Sequence, residues 1–196
     1  MFTGIIQEIG TIQSLEKKSG IIKIGIKAPK TAKLLKIGDS ISVDGACLTV
    51  IEKKGEIFWV EAIPETLKRT ICGEYKTKMQ VNLEPSMQLS DRFHGHLVSG
   101  HVDFIGKVTS KKTHEDSVII GISYPQNFGK YLSMKGSITV NGASLTISKI
   151  NPKKIEINLI PHTMKKTNLN NLKEKNSVNV EIDLIARYLE GLIQTK

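Results

Sequence analysis

The densest group of potentially reactive side chains is the run His94-Gly95-His96-Leu97-Val98-Ser99-Gly100-His101. Clustered imidazoles suggest a metal first. His96 and His101 would face opposite sides of a strand, however, and no cysteine pair accompanies them, so metal is set aside. A pH-active imidazole is the better use; a surface or hydrogen-bonded histidine is the ordinary alternative. The second group is Cys47 and Ser144, which occupy equivalent places in two copies of one motif. A thiol and a hydroxyl so placed could each be a nucleophile or a hydrogen-bond donor. Neither has an acid–base partner beside it in sequence, and a buried, inert Cys47 is the competing reading. Cys72 corresponds to Leu169 in the repeat and has no evident role.

The elements that must position these groups are two hairpins. Ser40-Ile41-Ser42-Val43-Asp44-Gly45-Ala46-Cys47-Leu48-Thr49 recurs as Ser137-Ile138-Thr139-Val140-Asn141-Gly142-Ala143-Ser144-Leu145-Thr146. Asp-Gly and Asn-Gly suit a type I′ turn, which needs φ > 0 at both central positions. A two-residue turn pairs Val43 with Ala46, Ser42 with Cys47, Ile41 with Leu48 and Ser40 with Thr49. Side chains alternate along a strand, so Ile41, Val43, Ala46 and Leu48 share one face, and Ser40, Ser42, Cys47 and Thr49 the other. The second copy sorts the same way. In a chain with 28 Lys and Arg, neither copy puts a charge on the hydroxyl face. Either something polar and flat lies against that face, or another domain packs on it.

The hairpins belong to a duplication. Adding 97 to residues 40–70 lands on 137–167 without a gap, and the chain start matches at an offset of 96, as in Thr3-Gly4 and Ile9-Gly10 against Ser99-Gly100 and Ile105-Gly106. Such repetition is read before anything else. At that offset His101 stands where the first half has Ile5, which hints that the halves have different jobs. Each half shows short strands about ten residues apart, the pattern of a small barrel or sandwich. The patterning predicts strands at 4–12, 21–27, 40–43, 46–52, 57–62 and 79–83, then at 100–108, 118–123, 137–140, 143–150, 155–159 and 177–182. Helical turns are expected after Pro64 and Pro161. The fold class is therefore all-β: two tandem six-stranded Greek-key-like barrels and a short C-terminal helix. The expected domains are 1–88, 89–183 and the helix 184–196, with a linker at 85–93. Asp183 is the expected N-cap of that helix, whose apolar stripe of Leu184, Ile185, Tyr188, Leu189, Leu192 and Ile193 needs a partner, on the body of the protein or on copies of itself.

Composition narrows the classes. The 196 residues carry a formal net charge of +9, which raises nucleic acid as a partner, but lysines are spread along the chain and aromatics are only 5%, few for stacking bases. No nucleic acid is expected. No apolar run reaches membrane-spanning length and the N-terminus is not a signal peptide, so no membrane partner and a cytoplasmic location are expected.

The start Met1-Phe2-Thr3-Gly4-Ile5-Ile6, the run Gly45-Ala46-Cys47-Leu48-Thr49, the run Gly95-His96-Leu97-Val98-Ser99-Gly100-His101 and the run Gly142-Ala143-Ser144-Leu145-Thr146 occur in order on a duplicated domain. Together they resemble the riboflavin synthase family over the whole chain. The resemblance implies a transferase that dismutates two molecules of 6,7-dimethyl-8-ribityllumazine to riboflavin and 5-amino-6-ribitylaminouracil, the last step of riboflavin biosynthesis. It implies no metal or added cofactor, and a homotrimer in which an N-terminal barrel faces a neighbour's C-terminal barrel. By position, the N-barrel pocket would use Gly4, Ile5, Ile6, Ser40, Cys47, Leu48, Thr49, Glu61, Ala62, Ile63, Pro64, Glu65 and Thr66. The C-barrel pocket would use Gly100, His101, Val102, Lys135, Ser144, Leu145, Thr146, Asn158, Leu159, Ile160, Pro161, His162 and Thr163. His101, Cys47 and Ser144 are the candidate catalytic residues, His101 for proton transfer. The family often has aspartate where this chain has Asn141. A non-catalytic lumazine- or flavin-binding protein on the same barrels is the alternative.

Overall fold

The two turns adopt the conformation their residues favour: φ is +46° at Asp44, +83° at Gly45, +45° at Asn141 and +75° at Gly142. Each closes a hairpin in the expected register, Val43 to Ala46 through Ser40 to Thr49, and Val140 to Ala143 through Ser137 to Thr146. The computed structural model describes residues 1–194. The first half comprises β1 (Glu8–Lys18), β2 (Ile21–Lys27), α1 (Thr31–Leu34), β3 (Ser40–Val43), β4 (Ala46–Lys54), β5 (Ile57–Ala62), α2 (Pro64–Arg69) and β6 (Gln80–Pro85). The second comprises β7 (Phe104–His114), β8 (Ser117–Ser123), β9 (Ser137–Val140), β10 (Ala143–Asn151), β11 (Lys154–Leu159), α3 (Pro161–Lys166) and β12 (Ser177–Ile182), followed by α4 (Leu184–Gln194).

Both sheets close. The first runs β1-β2-β5-β4-β3-β6 and the second β7-β8-β11-β10-β9-β12, all antiparallel. Closure pairs the sheet edges that could otherwise template aggregation. Alternation sends Ile24, Ile26, Ile41, Val43, Phe58 and Val60 into the first core and Ile120, Ile122, Ile138, Val140, Ile155 and Ile157 into the second. Pro64 and Pro161 each open a short helix, where the missing N–H costs nothing.

The first strand of each half begins later than the alternation predicts, at Glu8 rather than residue 4 and at Phe104 rather than residue 100. The residues before it form an arm. Gly4 and Gly100 take φ of +78° and +79°, which turns the chain out of the sheet. The arm's amides then find a carboxylate instead of a strand. Thr3 N, Thr3 Oγ1 and Gly4 N donate to Glu84 at 2.7, 2.8 and 2.9 Å. Ser99 N, Ser99 Oγ and Gly100 N donate to Glu181 at 2.7, 2.6 and 3.0 Å. The two arms meet each other in an antiparallel bridge between Phe2 and Val98, both buried.

The barrels touch through their hairpin turns, by reciprocal contacts. A Cβ on Gly45 would lie 2.8 Å from the Gly142 nitrogen, so only glycine permits the approach. Amides surround the contact. Asn82 Nδ2 donates to the Asn141 carbonyl and Asn179 Nδ2 to the Asp44 carbonyl, at 2.9 and 2.8 Å. Asn82 Oδ1 accepts from Asn168 N and Asn179 Oδ1 from Ile71 N. Asn141 therefore serves the joint between barrels, and its Oδ1 accepts from Asn179 N at 2.8 Å. Cys72 is buried beside this joint, and burial pushes its thiol up to about 11, which makes it inert.

Asp183 caps α4, accepting from Ile185 N at 2.9 Å. One side of the helix is anchored: Arg187 pairs with Asp103, and Glu190 with Lys130 and Tyr131. Ile185, Tyr188, Leu189, Leu192 and Ile193 are exposed. Residues 195 and 196 of the expected helix lie outside the described residues.

Candidate functional site

The hydroxyl face of each hairpin splits in two. On β3 and β9 it is covered: Ser42 and Thr139 are buried. Across each hairpin, on β4 and β10, it opens: Cys47 and Ser144 are half-buried, and Thr49 and Thr146 exposed. Glu61 and Asn158 extend the open part on the neighbouring strands, since Val50 pairs with Val60 and Ile147 with Ile157 one residue earlier. Ile63, Pro64, Glu65 and Thr66 follow at the first turn of α2, and Ile160, Pro161, His162 and Thr163 at that of α3. Lys135 is exposed beside this face in the second barrel, its amide donating to the Ile147 carbonyl. Leu48, Ala62, Leu145 and Leu159 point into the cores, so they offer a ligand only backbone.

The arms are exchanged between halves. The Cys47 amide donates to the Gly100 carbonyl at 2.8 Å, and the Ser144 amide to the Gly4 carbonyl at 2.7 Å. Val102 packs on the first core and Ile6 on the second. Gly100, His101 and Val102 therefore join Cys47, Thr49 and Glu61, while Gly4, Ile5 and Ile6 join Ser144, Thr146 and Asn158. The pocket grouping expected from sequence keeps each arm with its own barrel, and here the structure differs. The approach leaves no room for a side chain: a Cβ on Gly100 would lie 2.6 Å from Cys47 Cβ, and one on Gly4 equally close to Ser144 Cβ.

His101 is accordingly not the imidazole beside Ser144. That one is His96, whose Nδ1 lies 2.7 Å from Ser144 Oγ. His96 is buried, and its amide donates to the Thr3 carbonyl. Its Nε2 is buried and meets no hydrogen-bond partner among the described residues. Burial lowers its pKa below the ordinary imidazole value, with the Asp183 charge opposing, so the neutral ring is favoured. A neutral imidazole at this distance can accept the serine proton. Sequence reasoning names the histidine run but not this pairing. His96 lies just outside the stretch that the repeat aligns, and the pairing of the two arms, through Phe2 with Val98 and through the Thr3 carbonyl with the His96 amide, is what places it.

Two unlike sites result. One has a thiol, an exposed imidazole at His101 and a carboxylate at Glu61. The other has a hydroxyl hydrogen-bonded to a buried imidazole, an aliphatic arm and Lys135. Among the described residues, no three His, Cys, Asp or Glu side chains are grouped to hold a metal ion.

The lumazine binding domain family matches the chain twice, over residues 3–86 and 99–183. Riboflavin synthase of Photobacterium phosphoreum is 40% identical over 195 residues, covering 98% of this chain and 89% of that protein. Riboflavin synthase of Bacillus subtilis (strain 168) is 40% identical over 189 residues, covering 96% and 88%. The crystal structure of LumP complexed with 6,7-dimethyl-8-(1'-D-ribityl) lumazine aligns with a TM-score of 0.85 at 27% identity, over 93% of this chain and 99% of that one. LumP complexed with riboflavin aligns with a TM-score of 0.88 at 26% identity and the same coverage.

Proposed function

This chain belongs to the riboflavin synthase family, and on that premise we propose that it dismutates two molecules of 6,7-dimethyl-8-ribityllumazine, one lying on the outer face of each barrel. A four-carbon unit passes from one lumazine to the other. The products are riboflavin and 5-amino-6-ribitylaminouracil. The two identical substrates balance each other's electrons, so the overall reaction needs no external oxidant.

The reaction needs one lumazine made electrophilic and the other deprotonated at its C7 methyl group. The unlike sites suit that division. At the C-terminal barrel, Ser144 Oγ adds to C7 as its proton passes to neutral His96. At the N-terminal barrel, His101 takes the methyl proton and Cys47 orients the ring. Backbone of the hairpins and arms reads the pyrimidinedione edge, and Glu61 and Thr66, or Asn158 and Thr163, read the ribityl hydroxyls. Holding both rings face to face supplies much of the acceleration through proximity.

A complete site joins the N-terminal barrel of one chain to the C-terminal barrel of a neighbour, in a homotrimer. The tight Gly45–Gly142 contact supports this, because it leaves no gap for two stacked rings between a chain's own hairpin turns. The exposed apolar side of α4 supports assembly.

The observation that carries the proposal is the hydrogen-bonded Ser144–His96 pair opening on one outer face while Cys47 and His101 share the other. Incubation with the lumazine tests it. Riboflavin should form in the ratio of one to two lumazines consumed. Tight binding of lumazine without riboflavin would instead make the chain a binding protein.

A further inference from the structure

His101 sits in the middle of an arm that is held at both ends. At one end Glu181 accepts from Ser99 and Gly100. At the other, Asp103 N donates to the Val180 carbonyl at 2.9 Å, and Asp103 Oδ2 accepts from Ile182 N at 2.9 Å. Arg187 Nη2 on α4 donates to both Asp103 oxygens at 2.8 and 2.9 Å. The Asp103 side chain is only 6% exposed, so the carboxylate is locked between β12, α4 and the arm. Between the two anchors, the His101 amide donates to Ser99 Oγ at 3.3 Å and its side chain is exposed.

The other arm keeps only the backbone part of the second anchor, Gln7 N donating to the Leu83 carbonyl at 2.9 Å. Gln7 stands at the place of Asp103 and is exposed, and its side chain reaches no carboxylate or cation but the Ile5 carbonyl, at 3.4 Å. Ile5 stands at the place of His101, and no helix follows β6. The carboxylate, the arginine and the helix are thus all confined to the arm that presents an imidazole. An aliphatic arm needs only to pack; a proton-transferring one must hold its ring to a fraction of an ångström.

We propose that Asp103, clamped by Arg187 of α4, is a positioning residue for His101, so that docking of α4 onto the barrel sets the imidazole of the N-terminal barrel's site. The proposal rests on the assignment of His101 to that site. Burial raises the Asp103 carboxyl above its ordinary value, and the Ile182 amide and the Arg187 guanidinium oppose it.

Full-length variants test this by riboflavin formation, with lumazine affinity measured separately by fluorescence titration. Asp103→Asn and Arg187→Gln should each lower kcat by about tenfold or more and leave the lumazine Kd within about twofold. Arg187→Lys, which keeps the charge, should retain more activity than Arg187→Gln. In a His101→Gln background, Asp103→Asn should have no further effect on kcat, because the two act as a unit. The NMR resonances of His101, identified by their loss in His101→Gln, should move in Asp103→Asn while those of His96 stay. Equal loss of affinity and turnover, or a further full loss in the double variant, overturns the positioning role. So does Asp103→Asn with full kcat beside an impaired His101→Gln. A His101→Gln enzyme as fast as the native one overturns instead the assignment on which the proposal rests.

Discussion

Replacing Asp44 by asparagine should stabilise the protein at alkaline pH and flatten its dependence on pH. Asp44 is 2% exposed at the joint between barrels. Its Oδ1 accepts from Asn82 N and Asn168 Nδ2, both at 2.8 Å, and its Oδ2 from the Tyr75 hydroxyl at 3.0 Å. No cation pairs with it among these partners. Burial raises its carboxyl from 3.8 to about 7, the three hydrogen bonds offsetting only part of that. Between those values the folded state holds a proton that the unfolded chain releases. Raising the pH through that window therefore removes stability, which is fully present below 3.8 and lost above about 7. At about 1.36 kcal/mol per pH unit, the loss across the whole window is at most about 4 kcal/mol, and about 2–3 kcal/mol between pH 5 and pH 8. In Asp44→Asn the amide oxygen remains an acceptor for Asn82 and Asn168, and the amide nitrogen donates to a Tyr75 hydroxyl turned to accept. The equivalent turn already runs on Asn141. Denaturant unfolding at pH 5 and pH 8 measures the effect. The native protein should lose about 2–3 kcal/mol more than Asp44→Asn over that interval. Parallel stability–pH curves for the two proteins would refute the reasoning, since other titrating groups are common to both.

Three further outcomes follow from the sites. His96→Gln and Ser144→Ala should each lower kcat by about a hundredfold, and the double variant should be little worse than either, as stopped-assay kinetics would show; the acid limb of native kcat should lie below the ordinary imidazole value, because burial favours the neutral ring. Gly100→Ala should expel the arm from Cys47 and abolish turnover while both barrels stay folded, which circular dichroism and a lumazine titration can separate. Leu189→Glu with Leu192→Glu, on the exposed side of α4, should reduce the mass measured by light scattering without unfolding a barrel.

The hairpins are legible to the residue because Asp44-Gly45 and Asn141-Gly142 demand one turn type, and a one-residue slip would put Ile41 and Val43 in water. The helix cap at Asp183 is legible for the same local reason. The arms are not. Ile5 to Ile12 alternates well enough to read as one strand, and nothing local shows that Thr3 and Gly4 donate to Glu84. The exchange of arms is harder still. In a tandem repeat, contacts within a half and contacts across halves use nearly the same residues, so a pattern cannot distinguish them. That blindness puts His101 with Ser144 and hides His96. Asn141 stands at a turn next to the pocket residues in sequence, yet it serves the joint between barrels, where an amide satisfies a backbone N–H as a carboxylate would.

In the proposed assembly, each working site would borrow one barrel from a neighbouring chain. Take one chain carrying Cys47→Ala and Thr49→Ala, and a second carrying Ser144→Ala and Thr146→Ala, each inactive alone. In mixed oligomers, some sites unite the intact N-terminal barrel of the second chain with the intact C-terminal barrel of the first. Riboflavin formation should return when the two are co-expressed. If each site lay within a single chain, every site would keep a defect, and an inactive mixture whose mixed oligomers are verified by native mass spectrometry would contradict the account.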